Sequence, residues 1–247
     1  MLKTFSLTDT GIERKLNQDY VFTSETPVGA LPNLFIVADG MGGHKAGDRA
    51  SRVAVETLIK AIEEAPNVHP ELSSFNEIIS AAIRDANSEV RTEAAANENY
   101  EGMGTTMVIA CIDGDLLRVA NVGDSRLYII DREIRQVTND HSIVAELVRS
   151  GELDRDLARV HPNKNLITRA VGAEDEICPD FFEEKLKEGD IVLMCTDGLT
   201  NMLEDEEIRL IVHVERDLVG IAEGLVERAN DHGGADNITV ALLEPFA

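Results

Sequence analysis

Short apolar runs restrict the fold of this chain more than any other feature of its sequence. Runs of alternating or continuous apolar residues with the length of β-strands lie at about 19–24, 33–38, 104–112, 115–122, 126–130, 190–196 and 237–243. Asp113-Gly114, between two of these runs, is a dipeptide preferred in tight hairpins, and Asp131-Arg132 is suited to close the next pair. The pattern predicts antiparallel meanders.

Other segments carry helical periodicity. Apolar residues recur at helical spacing over 50–62, and we expect this helix to end before Pro66. Ser74-Phe75-Asn76-Glu77 has the pattern of a capping box, followed by an apolar stripe to about Ala96. A third stripe covers 218–229. Because the antiparallel strands are clustered and the long helices are set apart from them, the sequence predicts an α+β fold with helices packed on sheets rather than a parallel doubly wound fold.

The chain reads as one domain, 1–247, because no linker rich in Pro, Gly or Ser divides it. The segment at about 142–176 differs from its surroundings. It contains a short helical pattern around Val144 and Leu147, then a polar, loop-rich stretch through His161-Pro162. We expect it to be a surface insertion, where functional loops are common.

Net charge limits the function classes. The chain has 46 acidic and 23 basic residues, a formal charge of −23, which repels nucleic-acid backbones and anionic lipids. No apolar run approaches the roughly 20 residues needed to span a bilayer, and the N-terminus lacks a signal-peptide pattern. Cys111, Cys178 and Cys195 are an odd number, which fits a reducing compartment. We therefore expect a cytoplasmic protein that binds neither nucleic acid nor membrane.

Acidic residues stand at the ends of several strand-like runs, beside glycine or another turn residue. They are Asp19, Asp39, Asp124, Asp197 and Asp236. A carboxylate held partly desolvated at the rim of a sheet ionises at a cost unless a cation or several donors compensate it. A turn or N-cap role is the ordinary explanation for any one of them. Their recurrence favours a shared site.

An all-oxygen site selects Mg²⁺ or Mn²⁺, and these carboxylates have no His-rich or Cys-rich cluster beside them. Gly40, directly after Asp39, would let a bare carbonyl reach a metal. Two divalent ions roughly 3.5–4 Å apart would compensate converging carboxylates and promote ionisation of a water shared between them. Such a site generates a nucleophile for phosphate-ester hydrolysis.

Two further residues fit that chemistry. Arg14, five residues before Asp19, could hold the phosphate, because a guanidinium matches its geometry. His44, in a glycine-rich turn, could protonate a leaving serine or threonine alkoxide. Taken alone, His44 is equally well explained as a surface residue, and Arg14 is better explained as a solvated cation.

Short motifs follow one another in a fixed order along the chain. They are Arg14-x-x-Asn17-x-Asp19, Ala38-Asp39-Gly40-Met41-Gly42-Gly43-His44, Gly102-Met103-Gly104-Thr105-Thr106, Val122-Gly123-Asp124-Ser125-Arg126, Asp140-His141-Ser142, Asp197-Gly198 and Asp236-Asn237. Their order and spacing strongly resemble those of the metal-dependent, type 2C protein phosphatases in their compact bacterial form. The resemblance implies a central β-sandwich of two mostly antiparallel sheets flanked by helices, a four-layer αββα architecture, with a flap at about 142–176.

The resemblance also implies roles for the site residues. Asp39 resembles the ligand that bridges two Mn²⁺ or Mg²⁺ ions, Gly40 the carbonyl ligand of the second ion, Asp197 and Asp236 ligands of the first, Asp19 a ligand acting through metal-bound water, and Asp124 a ligand of a third, weaker ion shared with Asp197. Arg14 matches the phosphate-binding arginine and His44 the general acid. Gln18 departs from animal members, which have a glutamate there, and this leaves metal affinity open.

The expected activity is hydrolysis of phosphoserine and phosphothreonine in proteins. A hydroxide bridging the two ions would attack phosphorus in line, with no phosphoenzyme. The expected partners are phosphorylated proteins, including a cognate Ser/Thr kinase or its substrates, and the expected state is a monomer. A catalytically silent phosphoprotein-binding pseudophosphatase is the alternative, although all five Asp are present.

Other phosphate-handling classes do not fit. Cysteine-dependent phosphatases need Cys-x5-Arg, whereas the first arginine after Cys111 is Arg118, one position too far. A haloacid-dehalogenase motif is imitated by Asp113-Gly114-Asp115, but Leu117 stands where Thr or Val belongs. The glycine-rich segment 40–47 matches neither a dinucleotide-binding nor a P-loop pattern.

Overall fold

The structure is a computed structural model that describes residues 1–43, 46–159, 161–215 and 217–247. Its strands are β1 (Lys3–Asp9), β2 (Asp19–Ser24), β3 (Leu34–Met41), β4 (Gly104–Thr105), β5 (Met107–Asp113), β6 (Leu116–Val122), β7 (Arg126–Ile130), β8 (Ile134–Gln136), β9 (Asp180–Lys185), β10 (Ile191–Cys195) and β11 (Ile238–Glu244). Its α-helices are α1 (Ala46–Val68), α2 (Phe75–Ala96), α3 (Ile143–Arg149), α4 (Arg155–Ala158), α5 (Asp197–Thr200), α6 (Asp205–Val214) and α7 (Leu218–Asp231), and a 3₁₀ turn covers Glu98–Tyr100.

The strands form two sheets in which the described pairings are antiparallel. One sheet has the order β1-β11-β10-β7-β8, and the other has the order β2-β3-β5-β6-β9, with β4 added beside β3. The hairpin between β5 and β6 forms where it is predicted, but Asp113 pairs with Leu116, so the two turn residues are Gly114, at a φ of 64°, and Asp115 rather than Asp113 and Gly114. The turn after Ile130 joins β7 to β8.

The sheets pack face to face, and helices cover their outer faces. Along β3, Leu34, Ile36 and Ala38 belong to the core shared with α1 and α2, whereas Phe35 and Val37 belong to the core between the sheets. On the other sheet, alternate residues of β10 divide in the same way between the inter-sheet core and α5 to α7. This period-2 division produces the predicted four-layer αββα sandwich.

Most predicted elements are confirmed. The capping box at Ser74 begins α2, and α7 covers the third helical stripe. The predicted end of α1 before Pro66 is wrong, because the helix continues through Pro66 to Val68. A proline so near a helix end removes one hydrogen bond from the last turns, which is less costly than in the interior.

The predicted insertion begins with α3, whose N-cap is the Ser142 side chain, and continues through α4. An isolated bridge between Ser142 and Ile167 joins two parts of the segment, and a second between Thr105 and Val171 joins the segment to β4 of the sandwich. Both ends of the segment therefore lie on the sandwich close to the strand edge that carries Asp39. No helix in the described part of the chain combines the length and apolar character needed to cross a bilayer.

Candidate metal centre

The predicted acidic residues meet at one end of the sandwich, where strands of both sheets begin or end; we call this region the acidic edge. Asp19 begins β2, Asp39 lies near the end of β3, Asp124 is in the turn from β6 to β7, Asp197 follows β10, and Asp236 precedes β11. In an antiparallel pair the end of one strand lies beside the start of the next, so these positions share an edge. Electrostatic repulsion connects Asp39 with each of the other four carboxylates. The structure therefore brings together residues that are up to 217 positions apart (236 − 19).

Asp19 and Asp39 are register partners on neighbouring strands. Directly opposed residues in a sheet project from the same face, and the parity of β3 directs Asp39 toward the space between the sheets. Burial raises the pKa of Asp19 to about 7; hydrogen bonds from Thr239 and Thr196 oppose this shift, and repulsion by Asp197 adds to it. Burial also raises the pKa of Asp39 well above its ordinary value, and repulsion from Asp19 adds to the shift.

Two more carboxylates are perturbed in the same direction. Burial raises the pKa of Asp197, repulsion by Asp236 adds to the shift, and contacts with Asp39 and Asn201 oppose it. Burial raises the pKa of Asp124 to about 8, with a further contribution from Asp197. Unless a cation or hydrogen-bond donors compensate them, ionised carboxylates at this edge are destabilised both by desolvation and by mutual repulsion.

The chemistry of these oxygens fits a hard divalent cation. Asp19 Oδ1 and Asp197 Oδ1 are buried and have no hydrogen-bond partner among the described residues. A buried charged oxygen without a donor is costly unless a cation compensates it. No three acidic, His or Cys side chains of the described residues have the mutual spacing of a ready-made cation site. The carboxylates thus lie close enough to repel one another, and their chemistry still suits Mg²⁺ or Mn²⁺.

Gly40 occupies a position that admits no side chain. A Cβ at Gly40 would lie 2.1 Å from the carbonyl oxygen of Gly47 and 2.6 Å from that of Gln18. The Gly40 N–H donates to Gln18 O at 3.1 Å. The backbone of β3 is therefore held against both the start of α1 and the residue before Asp19.

Arg14 lies at the rim of the site. Its Nη2 donates to Asp236 Oδ2 at 2.8 Å, and its side chain is 49% exposed. The loop that carries Arg14 is held against the segment before β11, because the N–H groups of Ile12 and Glu13 both donate to Gly234 O. A cationic group is thus held at the entrance to the carboxylates.

Asn237 is a positioning residue to which the sequence assigned no role. Its Nδ2 donates to Thr10 O at 2.8 Å and to Leu16 O at 2.9 Å, and its Oδ1 accepts from the Gln18 N–H at 2.8 Å. These bonds tie both ends of the Arg14 loop to the residue after Asp236. Asn237 belongs to the sequence motif Asp236-Asn237, but only the structure shows that its side chain holds the Arg14 loop.

The turn that carries Asp124 is held by a second group of residues. Thr106 Oγ1 accepts from the Asp39 N–H at 3.0 Å and lies 2.7 Å from Ser125 Oγ, which links Asp39 to that turn. His141 Nδ1 accepts from the Gly123 N–H at 3.1 Å, and His141 Nε2 lies 3.1 Å from Asp180 Oδ2. Thr106, Ser125 and His141 all belong to motifs found in the sequence. Their contacts join separate parts of the chain, so the sequence does not reveal them.

The expected insertion forms one wall of a cleft of about 880 Å³ that reaches the acidic edge. Val144 and Val148 of α3 line it on one side, and Asp124, Asp197 and Asn201 on the other. Arg126, also in the lining, is fixed by a bidentate ion pair with Asp140. His44, the expected general acid, lies outside the described residues.

Comparison with known proteins gives one consistent family. The family model described as Protein phosphatase 2C matches residues 12–239. Protein phosphatase PhpP of Streptococcus pneumoniae is 43% identical over 241 residues, which are 96% of this chain and 95% of that protein. Serine/threonine phosphatase stp of Listeria innocua is 41% identical over 215 residues, 85% of this chain and 84% of that protein.

Solved structures agree with the sequence relatives. The serine/threonine phosphatase of S. agalactiae superimposes with a TM-score of 0.89 at 37% identity, covering 98% of this chain and 99% of that one. The catalytic domain of the serine/threonine protein phosphatase PstP, solved in complex with two manganese ions, has a TM-score of 0.83 at 31% identity, covering 98% and 97%.

Proposed function

The chain belongs to the protein phosphatase 2C family and is a serine/threonine protein phosphatase, and on this premise we propose which residues perform the reaction. The relative solved with two manganese ions supports dependence on Mn²⁺ or Mg²⁺. The observation that carries the assignment of the site is the convergence of five carboxylates at one edge, four of them with raised pKa values.

The proposed metal ligands are the converging acidic residues and one carbonyl: Asp19, Asp39, Gly40, Asp124, Asp197 and Asp236. The buried, unpartnered oxygens of Asp19 and Asp197 support this set, since each requires a cation or donor. When bound, two divalent ions supply an activated water as nucleophile and neutralise charge on the phosphate. A third, weaker ion would use Asp124 and Asp197.

Arg14 is proposed to bind the phosphate. The guanidinium already lies at the rim in contact with Asp236, so its free N–H groups can donate to phosphate oxygens arriving from solvent. Asn237 holds the loop in place and thereby limits the geometries that Arg14 can adopt. His44, following the Gly40 backbone by four residues, is proposed to donate the proton to the leaving serine or threonine oxygen.

The remaining assignments concern context. We propose that residues 1–247 act as one catalytic domain and that 142–176 is a flap that selects among phosphoproteins, because α3 lines the cleft leading to the acidic edge. A cognate Ser/Thr kinase or its substrates are the proposed partners, and a cytoplasmic monomer is the proposed state. The excess of 46 acidic over 23 basic residues is consistent with protein rather than nucleic-acid substrates.

Hydrolysis of p-nitrophenyl phosphate and of a phosphothreonine peptide tests the proposal. We expect activity with Mn²⁺, its loss in EDTA, its recovery on adding Mn²⁺, and its loss in Asp39→Ala. Asp85→Ala, on the exposed side of α2, is the control that should retain activity. Mn²⁺ binding with no turnover of either substrate would instead support a silent phosphoprotein-binding protein, and a trapped phosphoenzyme would contradict direct attack by water.

A further inference from the structure

Asp19 is joined to three other side chains through a ring of hydrogen bonds. Its Oδ2 accepts from Thr239 Oγ1 at 2.6 Å, Thr239 Oγ1 lies 2.7 Å from Thr8 Oγ1, and Thr8 Oγ1 accepts from Asn17 Nδ2 at 2.8 Å. The ring closes where the Asp19 N–H donates to Asn17 Oδ1 at 3.0 Å. The members come from β1, β2 with its preceding loop, and β11, so the ring joins both sheets.

The donors in this ring have a fixed direction. Asn17 Nδ2 can only donate, so Thr8 Oγ1 is an acceptor there and its own proton is available to Thr239. The proton of Thr239 is then directed to Asp19 Oδ2, which as a carboxylate oxygen accepts. The chain of donors therefore runs from the amide through two hydroxyls to the carboxylate.

A second hydroxyl reaches the same oxygen. Thr196 Oγ1 donates to Asp19 Oδ2 at 2.9 Å, and it accepts from the Thr239 N–H at 3.0 Å, so its single proton is directed to Asp19. Two donors thus occupy Oδ2, while Oδ1 is buried without a partner among the described residues. The two oxygens of one carboxylate have opposite surroundings.

We propose that Thr8, Thr239 and Thr196 form a hydroxyl relay that fixes the rotamer of Asp19 and reserves its Oδ1 for the metal centre. The inference rests on the proposed function, because it assigns the relay the task of presenting a metal ligand. These threonines are positioning residues, and they contact neither phosphate nor leaving group. Removal of a hydroxyl would leave Oδ2 short of a donor and free the carboxylate to rotate, so that Oδ1 is no longer presented.

Manganese titration of the full-length protein by calorimetry, without substrate, tests the relay. Thr239→Val removes the hydroxyl at nearly constant size, and we expect Mn²⁺ affinity to fall about 10- to 100-fold, the usual effect of losing a partner that orients a ligand. Thr8→Val should give a smaller loss, because Thr239 and Thr196 both still donate to Asp19 Oδ2. Thr239→Ser should retain affinity within about threefold. Thr4 lies on β1 like Thr8, but its hydroxyl donates to Glu25. Thr4→Val is therefore the control, and we expect it to bind Mn²⁺ like wild type.

A double-mutant cycle between Thr239→Val and Asp19→Asn, measured by urea unfolding in EDTA, gives a readout independent of metal and activity. The two substitutions should be non-additive if the hydroxyl acts through Asp19. Additive effects, or Mn²⁺ affinity in Thr239→Val equal to that in Thr4→Val, would overturn the relay. An equal loss in Thr239→Ser would do so as well, because it would indicate packing alone. Wild-type protein that binds no Mn²⁺ would instead overturn the proposed function.

Discussion

Asp19 and Asp39 face each other as register partners at the ends of two neighbouring strands, and both carboxyls have raised pKa values. Opposed like charges in a sheet are destabilising, and here burial raises the cost further. The fold retains this pair in spite of the cost. We therefore expect cations that bind between these carboxyls to stabilise the folded protein.

Divalent cations should therefore raise the melting temperature. At a Mn²⁺ concentration about 100-fold above the dissociation constant, binding to one site adds about 2.7 kcal/mol to the free energy of unfolding, which corresponds to about 5–10 °C for a chain of this size. Differential scanning fluorimetry with EDTA and with millimolar Mn²⁺ measures the difference. Asp39→Asn should lose most of the shift, whereas Asp85→Asn should keep it. Equal melting temperatures with and without EDTA in wild type would contradict a shared site.

The metal-free protein should lose stability as the pH rises. Asp124 has a pKa of about 8 in the folded protein against an ordinary value of 3.8, so the folded state holds a proton that the unfolded state releases. The stabilisation from that proton is complete below about pH 4 and is lost as the pH rises to about 8. Asp19, with a pKa of about 7, acts in the same direction.

Urea unfolding in EDTA between pH 5 and 8.5 measures this dependence. Asp124→Asn cannot ionise, so its free energy of unfolding should fall less steeply than that of wild type, by about 4 kcal/mol over the range. Saturating Mn²⁺ should remove the difference in slope for wild type. Parallel curves for the two proteins in EDTA would mean that Asp124 ionises normally in the folded state.

The acidic edge could be predicted from the sequence because each of its five Asp residues stands just before or just after an apolar run. This pattern is local and can be recognised in the sequence alone. The strands β1, β8 and β9 could not be predicted. All three are sheet edges, and β9, with the sequence Asp180-Phe181-Phe182-Glu183-Glu184-Lys185, is rich in charge. Edge strands are only partly buried and carry charges that limit aggregation, so alternation is weak there.

The supporting hydrogen bonds are a different limit. Thr239 lies 220 positions from Asp19, and nothing in its own neighbourhood indicates that its hydroxyl reaches a carboxylate. Asn237 was part of a recognisable motif, but its three bonds to the Arg14 loop depend on how β11 sits beside that loop. Local pattern thus predicts the charged residues of the site, whereas the groups that orient them depend on tertiary contacts.

Substitution of Gly40 should be costly for a steric reason. A Cβ would lie 2.1 Å from a backbone oxygen of α1, and both backbones would have to separate. We expect Gly40→Ala to lower the free energy of unfolding by about 3 kcal/mol and to weaken Mn²⁺ binding. Gly43→Ala is the matched control, because a Cβ there meets nothing within 4 Å. Similar stability of the two variants, measured in urea, would show that β3 and α1 can separate freely.

Asn237→Ala should release the Arg14 loop. The change leaves the Gln18 N–H and the carbonyls of Thr10 and Leu16 without their partner. We expect the free energy of unfolding to fall by about 2–4 kcal/mol. Hydrogen exchange of residues 10–18 should accelerate, and kcat/KM for a phosphopeptide should fall in the same direction as in Arg14→Ala. Asn33→Ala is the control, since Asn33 is also buried and bonds both backbone groups of Ile112 at the opposite end of β3. It should destabilise the fold without accelerating exchange in the loop.

The role of His44 can be separated from general damage by varying the leaving group. A serine or threonine alkoxide is strongly basic and needs a proton as it departs, whereas p-nitrophenolate departs readily without one. His44→Ala should therefore lower kcat about 10²- to 10⁴-fold for a phosphoserine peptide and much less for p-nitrophenyl phosphate. His213→Ala, on the exposed end of α6, should change neither rate, which controls for the loss of an imidazole as such. Equal losses on the two substrates in His44→Ala would exclude the residue as the general acid and would point instead to a role in holding the turn after Gly40.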